Sequence, residues 1–373
     1  MDQGPAVHHA PLAGRSQESA PRHRRQPGGG RLHAGPGARD PRRPAVSRRD
    51  RHDQPARQAR LRDEFRRELT STDLVVTDSD TELEPDCLVR LQECLRSDKR
   101  NGCATGFLTI YNRADGLLPK MIHARYAYAF AVERAASSFA GCMTCCSGPI
   151  SIYRLDALDE LVLRRFVTQR FLTRPAEPGD DRHLTNLVMA AGLRSRQTSL
   201  ARAGTEAPET WRRFINQQLR WSRSFYREMY WQLKALEKQS CYLGVITAYE
   251  TIFPFVIASW ILRILYFSDS VSILWRMSAV AVTVLLLRTL VLLLYCRDTR
   301  VLYNILYYPV YVVVLLPLKF YALLTVVDSR WVTASRKESL RTRDRFPAHL
   351  VFILFWDLVI LGGVAYRVYE LCF

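Results

Sequence analysis

Lysine is scarce in this chain, and aromatic residues are missing from its first part. Only six of the 53 Lys and Arg residues are Lys, and residues 1–60 hold 13 Arg, eight Pro and seven Gly but no aromatic residue. So little apolar area cannot offset the entropy lost on folding. We expect residues 1–55 to be a disordered, basic, low-complexity tail. Arginine-rich disordered tails can bind the phosphates of nucleic acids. This tail lacks aromatic side chains on which bases could stack, and we expect no nucleic-acid partner.

Cysteine usage is also low for the length of the chain. Nine cysteines are spread over 373 residues, and the first residues are not typical of a signal peptide. A small secreted scaffold would concentrate cysteines in a short chain. Apolar residues make up 48% of the sequence, which excludes a wholly disordered protein.

Long apolar runs dominate the last third of the chain, which we predict to be a transmembrane region, residues 243–373. A run of about 20 apolar residues spans the hydrocarbon core as a helix. The runs cover residues 243–267, 273–295, 301–327 and 348–370.

Several charged residues lie inside these runs, among them Glu250, Arg263, Arg288, Lys319 and Asp357. Charge is costly in lipid, so we expect these five to face protein or a watery path. For Arg263 and Arg288, snorkelling to the lipid headgroups is an equal alternative.

Basic loops predict the topology. The segment Asp328–His349 holds six basic residues, which favour the cytosol. A single crossing by residues 301–327 would put that segment outside, on the side opposite the globular part. We therefore expect Pro309 and Pro317 to make this run a bent or re-entrant pair, or a span plus an interfacial helix.

Residues 56–210 have a mixed α/β pattern, which we predict to be a partial cytosolic domain with active-site loops at strand ends. The basic, aromatic-rich residues 211–238 predict an interfacial amphipathic helix. Strands are predicted at Asp73–Thr77, Gly102–Tyr111 and Thr144–Tyr153. Helices are predicted at Arg57–Leu69, Glu84–Ser97, Pro119–Ser138 and Asp181–Ala191.

Two acidic motifs are candidates for chemistry. Asp78 and Asp80 directly follow a strand pattern, where two carboxylates can hold Mg²⁺ or Mn²⁺ with a nucleotide diphosphate, although such pairs also occur in surface turns. Asp180 and Asp181 follow the Gly179 turn at a helix start. A carboxylate there can remove a proton from a hydroxyl, or it can simply cap the helix.

A third motif, Gln217-Gln218-Leu219-Arg220-Trp221, opens the amphipathic stretch. Arg220 offers planar, bidentate pairing to a diphosphate, and Trp221 offers a stacking face for a sugar or base. An interfacial helix would also carry Arg and Trp at the headgroup level, and both interpretations can hold together.

The order of these motifs, followed by membrane runs, resembles the processive family-2 glycosyltransferases, which include cellulose, chitin and hyaluronan synthases. Closer detail resembles the hyaluronan synthases, over roughly residues 56–370. The stretches that carry this likeness include GDDRHLTN at 179–186 and NQQLRWSRSFYRE at 216–228. The resemblance implies a GT-A-like nucleotide-diphospho-sugar transferase fold, followed by interfacial and transmembrane α-helices.

The resemblance also implies roles for individual residues. Asp80 is similar to the family's metal ligand for Mg²⁺ or Mn²⁺, and Asp78 to a nucleotide contact. Asp181 matches the catalytic base, with Asp180 as its neighbour. Residues matching substrate-binding positions are Ser147, Gly148, Pro149, Gln217, Arg220, Trp221, Trp331, Thr333 and Arg336.

The implied function is a multi-pass plasma-membrane enzyme with a cytosolic catalytic region. It would polymerise GlcA and GlcNAc from UDP-GlcA and UDP-GlcNAc and translocate the growing polysaccharide. Membrane lipid and a second copy of the chain are the expected partners. The alternative is a catalytically incomplete hyaluronan or chitin synthase relative, acting as a non-enzymatic membrane protein.

Overall fold

A computed structural model of the chain describes residues 72–155, 162, 165–166, 169–172, 174–175, 179–267, 271–328 and 348–372. The predicted helix Arg57–Leu69 and the predicted tail 1–55 lie outside this part, as do Trp331, Thr333 and Arg336.

The described ranges of the globular part contain seven strands. They are β1 (Asp73–Val76), β2 (Glu82–Leu83), β3 (Asn101–Ile110), β4 (Ser151–Arg154), β5 (Arg170–Phe171), β6 (Arg174–Pro175) and β7 (Arg194–Thr205).

Helices lie between several of these strands, and the elements described after β7 are helical. They are α1 (Cys87–Arg96), α2 (Leu117–Tyr128), α3 (Arg134–Phe139), α4 (Asp180–Ala190), α5 (Trp211–Ala235), α6 (Cys241–Tyr266), α7 (Val271–Cys296), α8 (Asn304–Val310), α9 (Leu316–Leu324) and α10 (Ala348–Cys372).

The main sheet has five strands in the order β1-β4-β3-β7-β2. Only the β3–β7 pair is parallel, and the other three pairs are antiparallel. Strand β3 is buried along almost its whole length because helices cover both faces. On one face α1 contributes Leu91 and Leu95, and on the other α4 contributes Leu187 and Val188. The predicted α/β fold is confirmed.

Two predicted elements differ from the structure. Of the predicted strand Thr144–Tyr153, only the residues from Ser151 onward join the sheet, and the preceding residues form a loop. The predicted helix Pro119–Ser138 forms but is interrupted by a π-helical turn at Ala129–Glu133. Strand β7 was not predicted, because its sequence RSRQTSLARAGT has neither an apolar run nor a regular alternation.

Helix α5 packs on protein along its predicted apolar face. Phe214 and Tyr226 from α5 share a core with Leu318 from α9, and α5 also packs against α4. This face is therefore covered by protein, while Trp221 and Tyr230 remain exposed. The interfacial position predicted for residues 211–238 stays a prediction.

Among the residues that the structure describes, four helical segments are long and apolar enough to cross a membrane: Cys241–Tyr266, Ser278–Cys296, Thr299–Leu324 and Ala348–Glu370. The third is a continuous helix whose winding changes from 3₁₀ at Thr299–Tyr303 to α, to π at Tyr311–Leu315, and back to α. It does not turn back on itself, so the predicted re-entrant pair is wrong for these residues. Its core contacts with α2 and α5 favour the other predicted form, in which part of this run is an interfacial helix. That Asp328–His349 lies on the side of the globular part stays a prediction.

Arg263 and Arg288 have different surroundings. Nε of Arg288 donates to the Tyr128 hydroxyl at 2.8 Å, and its Nη1 donates to the Tyr308 hydroxyl at 2.7 Å. Nη2 lies 3.5 Å from Oε1 of Glu133. Arg288 therefore faces protein, whereas the side chain of Arg263 is exposed.

Candidate functional site

The turn after β1 presents the first two acidic residues. The amide of Thr81 donates to the Asp78 carbonyl at 3.2 Å and closes the turn. The Thr77 hydroxyl donates to the Pro149 carbonyl at 2.9 Å, which ties the turn to the loop before β4. A Cβ built on Gly148 would lie 3.4 Å from Oδ1 of Asp78. The Asp78 carboxylate therefore lies against the backbone of this loop.

The loop at residues 142–150 is held from several sides. The Arg134 guanidinium donates to the Ser147 hydroxyl and, at 3.3 Å, to the Cys145 carbonyl. The Cys146 amide donates to the hydroxyl of Thr185 on α4 at 2.9 Å. These bonds fix Ser147, Gly148 and Pro149 between the Asp78 turn and the start of α4.

Helix α4 begins directly after Gly179, whose φ of 103° lies in the left-handed region. This residue is the N-cap and has no side chain with which to cap the helix. Oδ1 of Asp181 accepts from the Arg182 amide in the first turn, so this carboxylate also satisfies a backbone donor at the helix start. Of Asp180 the structure describes the backbone only.

Three donors orient the Asp181 carboxylate. The Gly148 amide donates to Oδ2 at 3.3 Å and the Cys145 thiol donates to the same oxygen at 3.4 Å. The Arg182 amide donates to Oδ1 at 2.8 Å. The Asp181 carboxylate thus faces the 142–150 loop. Thr185 was not predicted to act here, although it lies one helical turn after Asp181.

Helix α5 brings the third motif to the same place. Arg220 is half-buried, and burial lowers the pKa of its guanidinium, while Asp181 and Asp78 raise it. Gln217 is half-buried and Trp221 is 41% exposed. The structure therefore brings together one arginine and two carboxylates that lie far apart in the sequence.

The charge balance of this cluster is visible at Asp78. Desolvation by the surrounding protein raises the pKa of its carboxyl group, and the neighbouring carboxylates of Asp80 and Asp181 raise it further. Arg220 acts in the opposite direction. The carboxylates of Asp78, Asp80 and Asp181 thus share one region with the Arg220 guanidinium, and an added cation would relieve their repulsion.

The donor set fits a divalent cation. Carboxylate oxygens are preferred ligands of Mg²⁺ and Mn²⁺. Within the described residues, no group of three or more His, Cys, Asp or Glu side chains lies close enough to hold a metal ion. Asp78 and Asp80 thus fit a cation that takes its remaining ligands from a diphosphate and water.

Sequence comparison places this arrangement in a family. The model of glycosyl transferase family group 2 matches residues 74–324, and the chain belongs to that family. Within it, the chain is hyaluronan synthase-like. It is 34% identical to hyaluronan synthase 1 of Xenopus tropicalis over 309 residues, which cover 83% of this chain and 51% of that protein.

A second relative gives the same result. Hyaluronan synthase 3 of Homo sapiens is 32% identical over 297 residues, covering 79% of this chain and 52% of that protein. The chain therefore spans about half the length of these relatives. Among solved structures, a mannosyltransferase from Pyrobaculum calidifontis in complex with GDP-Man and Mn²⁺ aligns with a TM-score of 0.44 and 14% identity, covering 73% of this chain and 67% of that one.

Proposed function

We propose that the chain transfers sugars from UDP-sugars to a growing polysaccharide, as a hyaluronan synthase-like membrane glycosyltransferase. The observation that carries this proposal is the approach of Asp78, Asp181 and Arg220 around the loop at Gly148. One edge of this site has acids suited to a metal–diphosphate, and the other has an acid suited to proton removal.

Asp78 and Asp80 form the donor side of the proposed site. Asp80 would hold Mg²⁺ or Mn²⁺, and Asp78 would contact the nucleotide as well as the cation. When bound, the cation neutralises the charge that develops on the departing diphosphate. Arg220 reaches the same region from α5 and suits bidentate contact with phosphate oxygens.

Asp181 is the proposed general base. An acceptor hydroxyl is a poor nucleophile at neutral pH, so its proton must leave as the oxygen attacks. The proton passes to Asp181, the acceptor oxygen bonds to the anomeric carbon with inversion, and the bond to UDP breaks. The Gly148 amide and Cys145 thiol hold the Asp181 carboxylate toward the loop where the acceptor would lie. Asp180, the preceding residue, would support the start of α4 and would not take the proton.

The acceptor side combines the loop and α5. Ser147, Gly148 and Pro149 would cradle the acceptor sugar, whose ring Trp221 can stack on with its exposed face. Gln217 would complete this motif. Trp331, Thr333 and Arg336, outside the described residues, are proposed to contact the substrate from the segment that follows α9.

The proposed donors are UDP-GlcA and UDP-GlcNAc, and the proposed location is the plasma membrane with the catalytic part in the cytosol. The six basic residues of the segment after α9 support this orientation. The candidate membrane helices directly follow the site helix α5, which supports transfer of the product toward the membrane.

The test uses membranes containing the full 373-residue chain, supplied with both UDP-sugars and Mg²⁺ or Mn²⁺. The expected result is radiolabelled polymer that hyaluronan lyase degrades, together with UDP release that chelation by EDTA stops. Membranes containing the Asp181→Asn variant serve as the blank, and Asp115→Asn, at an exposed turn, is the matched control. Absence of transfer by the unmodified chain would favour the non-enzymatic alternative.

A further inference from the structure

Two helices carry the residues proposed for chemistry, and one buried pair joins them. Nδ1 of His183 on α4 lies 2.8 Å from Oε2 of Glu228 on α5. The two side chains are 1% and 3% exposed. Burying a carboxylate is costly unless it is hydrogen-bonded, so this pair has a strong preference for one arrangement of the two helices.

Both oxygens of Glu228 are engaged. Oε2 faces His183, and Oε1 accepts a hydrogen bond from the side-chain amide of Gln169. The backbone carbonyl of Glu228 accepts from Nδ2 of Asn186, one turn further along α4, at 3.4 Å. Glu228 therefore connects α5 both to α4 and to Gln169 in the segment before α4. A shift of α5 by one turn would break all of these hydrogen bonds.

Aromatic rings close around the imidazole. The Phe166 ring stacks on His183 with centroids 6.1 Å apart, and Trp231 meets it edge-on at 5.8 Å. These contacts hold the plane of the imidazole ring. The ring orientation in turn directs Nδ1 at Glu228.

The pair lies two residues after Asp181 on α4 and eight residues, about two turns, after Arg220 on α5. Along α5, Arg220, Ser224 and Glu228 are spaced by four residues and share one face. Along α4, Gly179 packs against Ser224, because a Cβ at Gly179 would lie 1.9 Å from the Ser224 hydroxyl oxygen. His183 is four residues after Gly179. The two faces therefore meet in register, Gly179 on Ser224 and His183 on Glu228.

We propose that His183 and Glu228 are positioning residues. They hold α4 against α5 and so fix the distance between Asp181 and Arg220 across the site. This inference rests on the proposed function for its catalytic consequence. Both side chains are buried, and we assign them no contact with substrate. Without the His183–Glu228 hydrogen bond α4 can shift relative to α5, and a displacement of about 1 Å is enough to lower turnover by about 10²-fold.

The experiment compares three variants of the full chain in membranes. His183→Leu removes the donor to Glu228, whereas His183→Asn keeps an N–H group near the position of Nδ1. His123→Leu is the matched control, since His123 is a buried histidine on α2 whose Nδ1 has no hydrogen-bond partner within the described residues. Turnover, KM for each UDP-sugar and amide hydrogen exchange are measured, with turnover divided by the amount of folded protein.

We expect His183→Leu to lose about 10²-fold in turnover with KM nearly unchanged, and His183→Asn to recover most of it. Exchange should speed up in the first turn of α4, where the His183 amide donates to the Gly179 carbonyl, in His183→Leu alone. Wild-type turnover per folded molecule in His183→Leu, or equal losses in both His183 variants, would overturn the proposal.

The two proposals fail separately. If the unmodified chain transfers no sugar, the proposed function is contradicted. Hydrogen exchange still tests whether the His183–Glu228 pair holds α4 against α5. Faster exchange at the start of α4 in His183→Leu but not in His183→Asn or His123→Leu would then support it, and unchanged exchange would overturn it.

Discussion

The backbone amide of Gly148 donates to Oδ2 of Asp181 at 3.3 Å, although 33 residues separate them. This bond joins the loop before β4 to the first turn of α4. Because the Arg182 amide donates to the other carboxylate oxygen, both oxygens of Asp181 face backbone donors. The side chain is thus oriented by main-chain groups, which most substitutions leave in place.

Replacement of Asp181 by Asn should abolish transfer while the nucleotide still binds. The amide keeps the size of the carboxylate but accepts no proton, and its NH₂ group would face one of the two backbone donors. Loss of a general base lowers turnover by about 10²–10⁴-fold. Initial rates of UDP release and calorimetric UDP affinity, measured on the same preparation, check this.

Asp115→Asn, a change at an exposed turn, should leave both quantities unchanged. Full activity in Asp181→Asn would remove Asp181 from the mechanism. An equal loss of UDP affinity would instead assign it to the nucleotide site.

The strongest sequence patterns predicted their elements well. The apolar run at Asp73–Val76 and the helical spacing at Cys87–Arg96 form the expected strand and helix. Strand β7 escaped prediction because its pairing with β3, rather than local propensity, makes it a strand. The loop at Thr144–Ile150 looks strand-like from its apolar residues, but its backbone is held by Arg134 and Thr185 instead.

The site was predicted in its parts but not in its contacts. Motif order pointed to Asp78, Asp181 and Arg220. Nothing in the sequence indicated that Cys145 and Gly148 would share one carboxylate oxygen, because that contact depends on the path of a loop. Long-range hydrogen bonds of this kind have no local sequence signature, and the His183–Glu228 pair, 45 residues apart, is another example.

The close approach at Gly179 predicts that Gly179→Ala is severely destabilising. Its φ of 103° disfavours any side chain, and a Cβ would lie 1.9 Å from the Ser224 hydroxyl oxygen and 2.9 Å from the Ser224 Cβ. Gly192→Ala is the matched control, since Gly192 has φ of 94° but its nearest contact is 3.5 Å away. The control should lose about 1–2 kcal/mol from backbone strain alone.

Thermal unfolding of both variants in detergent checks this expectation. Gly179→Ala should also lose transfer activity, because the clash separates α4 from α5. Equal midpoints for the two variants would mean that α4 accommodates the added methyl group freely.

The contacts of Arg288 predict that it stabilises the junction between α7 and the globular part. Arg288→Leu removes hydrogen bonds to Tyr128 and Tyr308 and a contact with Glu133. Hydrogen bonds to charged groups contribute about 1.5–3 kcal/mol, so the unfolding midpoint in detergent should fall. Arg263→Leu, at an exposed position on α6, should change it less. An equal effect of both changes would argue for a general role of charge instead.

The raised pKa of Asp78 predicts how pH and metal act together. Desolvation and the charges of Asp80 and Asp181 disfavour its ionised form in the folded state. As the pH falls through this raised pKa, Asp78 takes up a proton, and metal-dependent UDP affinity should fall because a neutral carboxyl group is a poor ligand. The folded state without ligand does not lose stability from this group over the same range, since protonation relieves the repulsion.

Asp78→Asn should therefore unfold at the same or a higher temperature without ligand, lose metal-dependent UDP binding, and lose this pH dependence. Calorimetry of UDP with and without Mn²⁺ at several pH values measures it, with Asp115→Asn as control; native metal-dependent affinity in Asp78→Asn would remove Asp78 from the site.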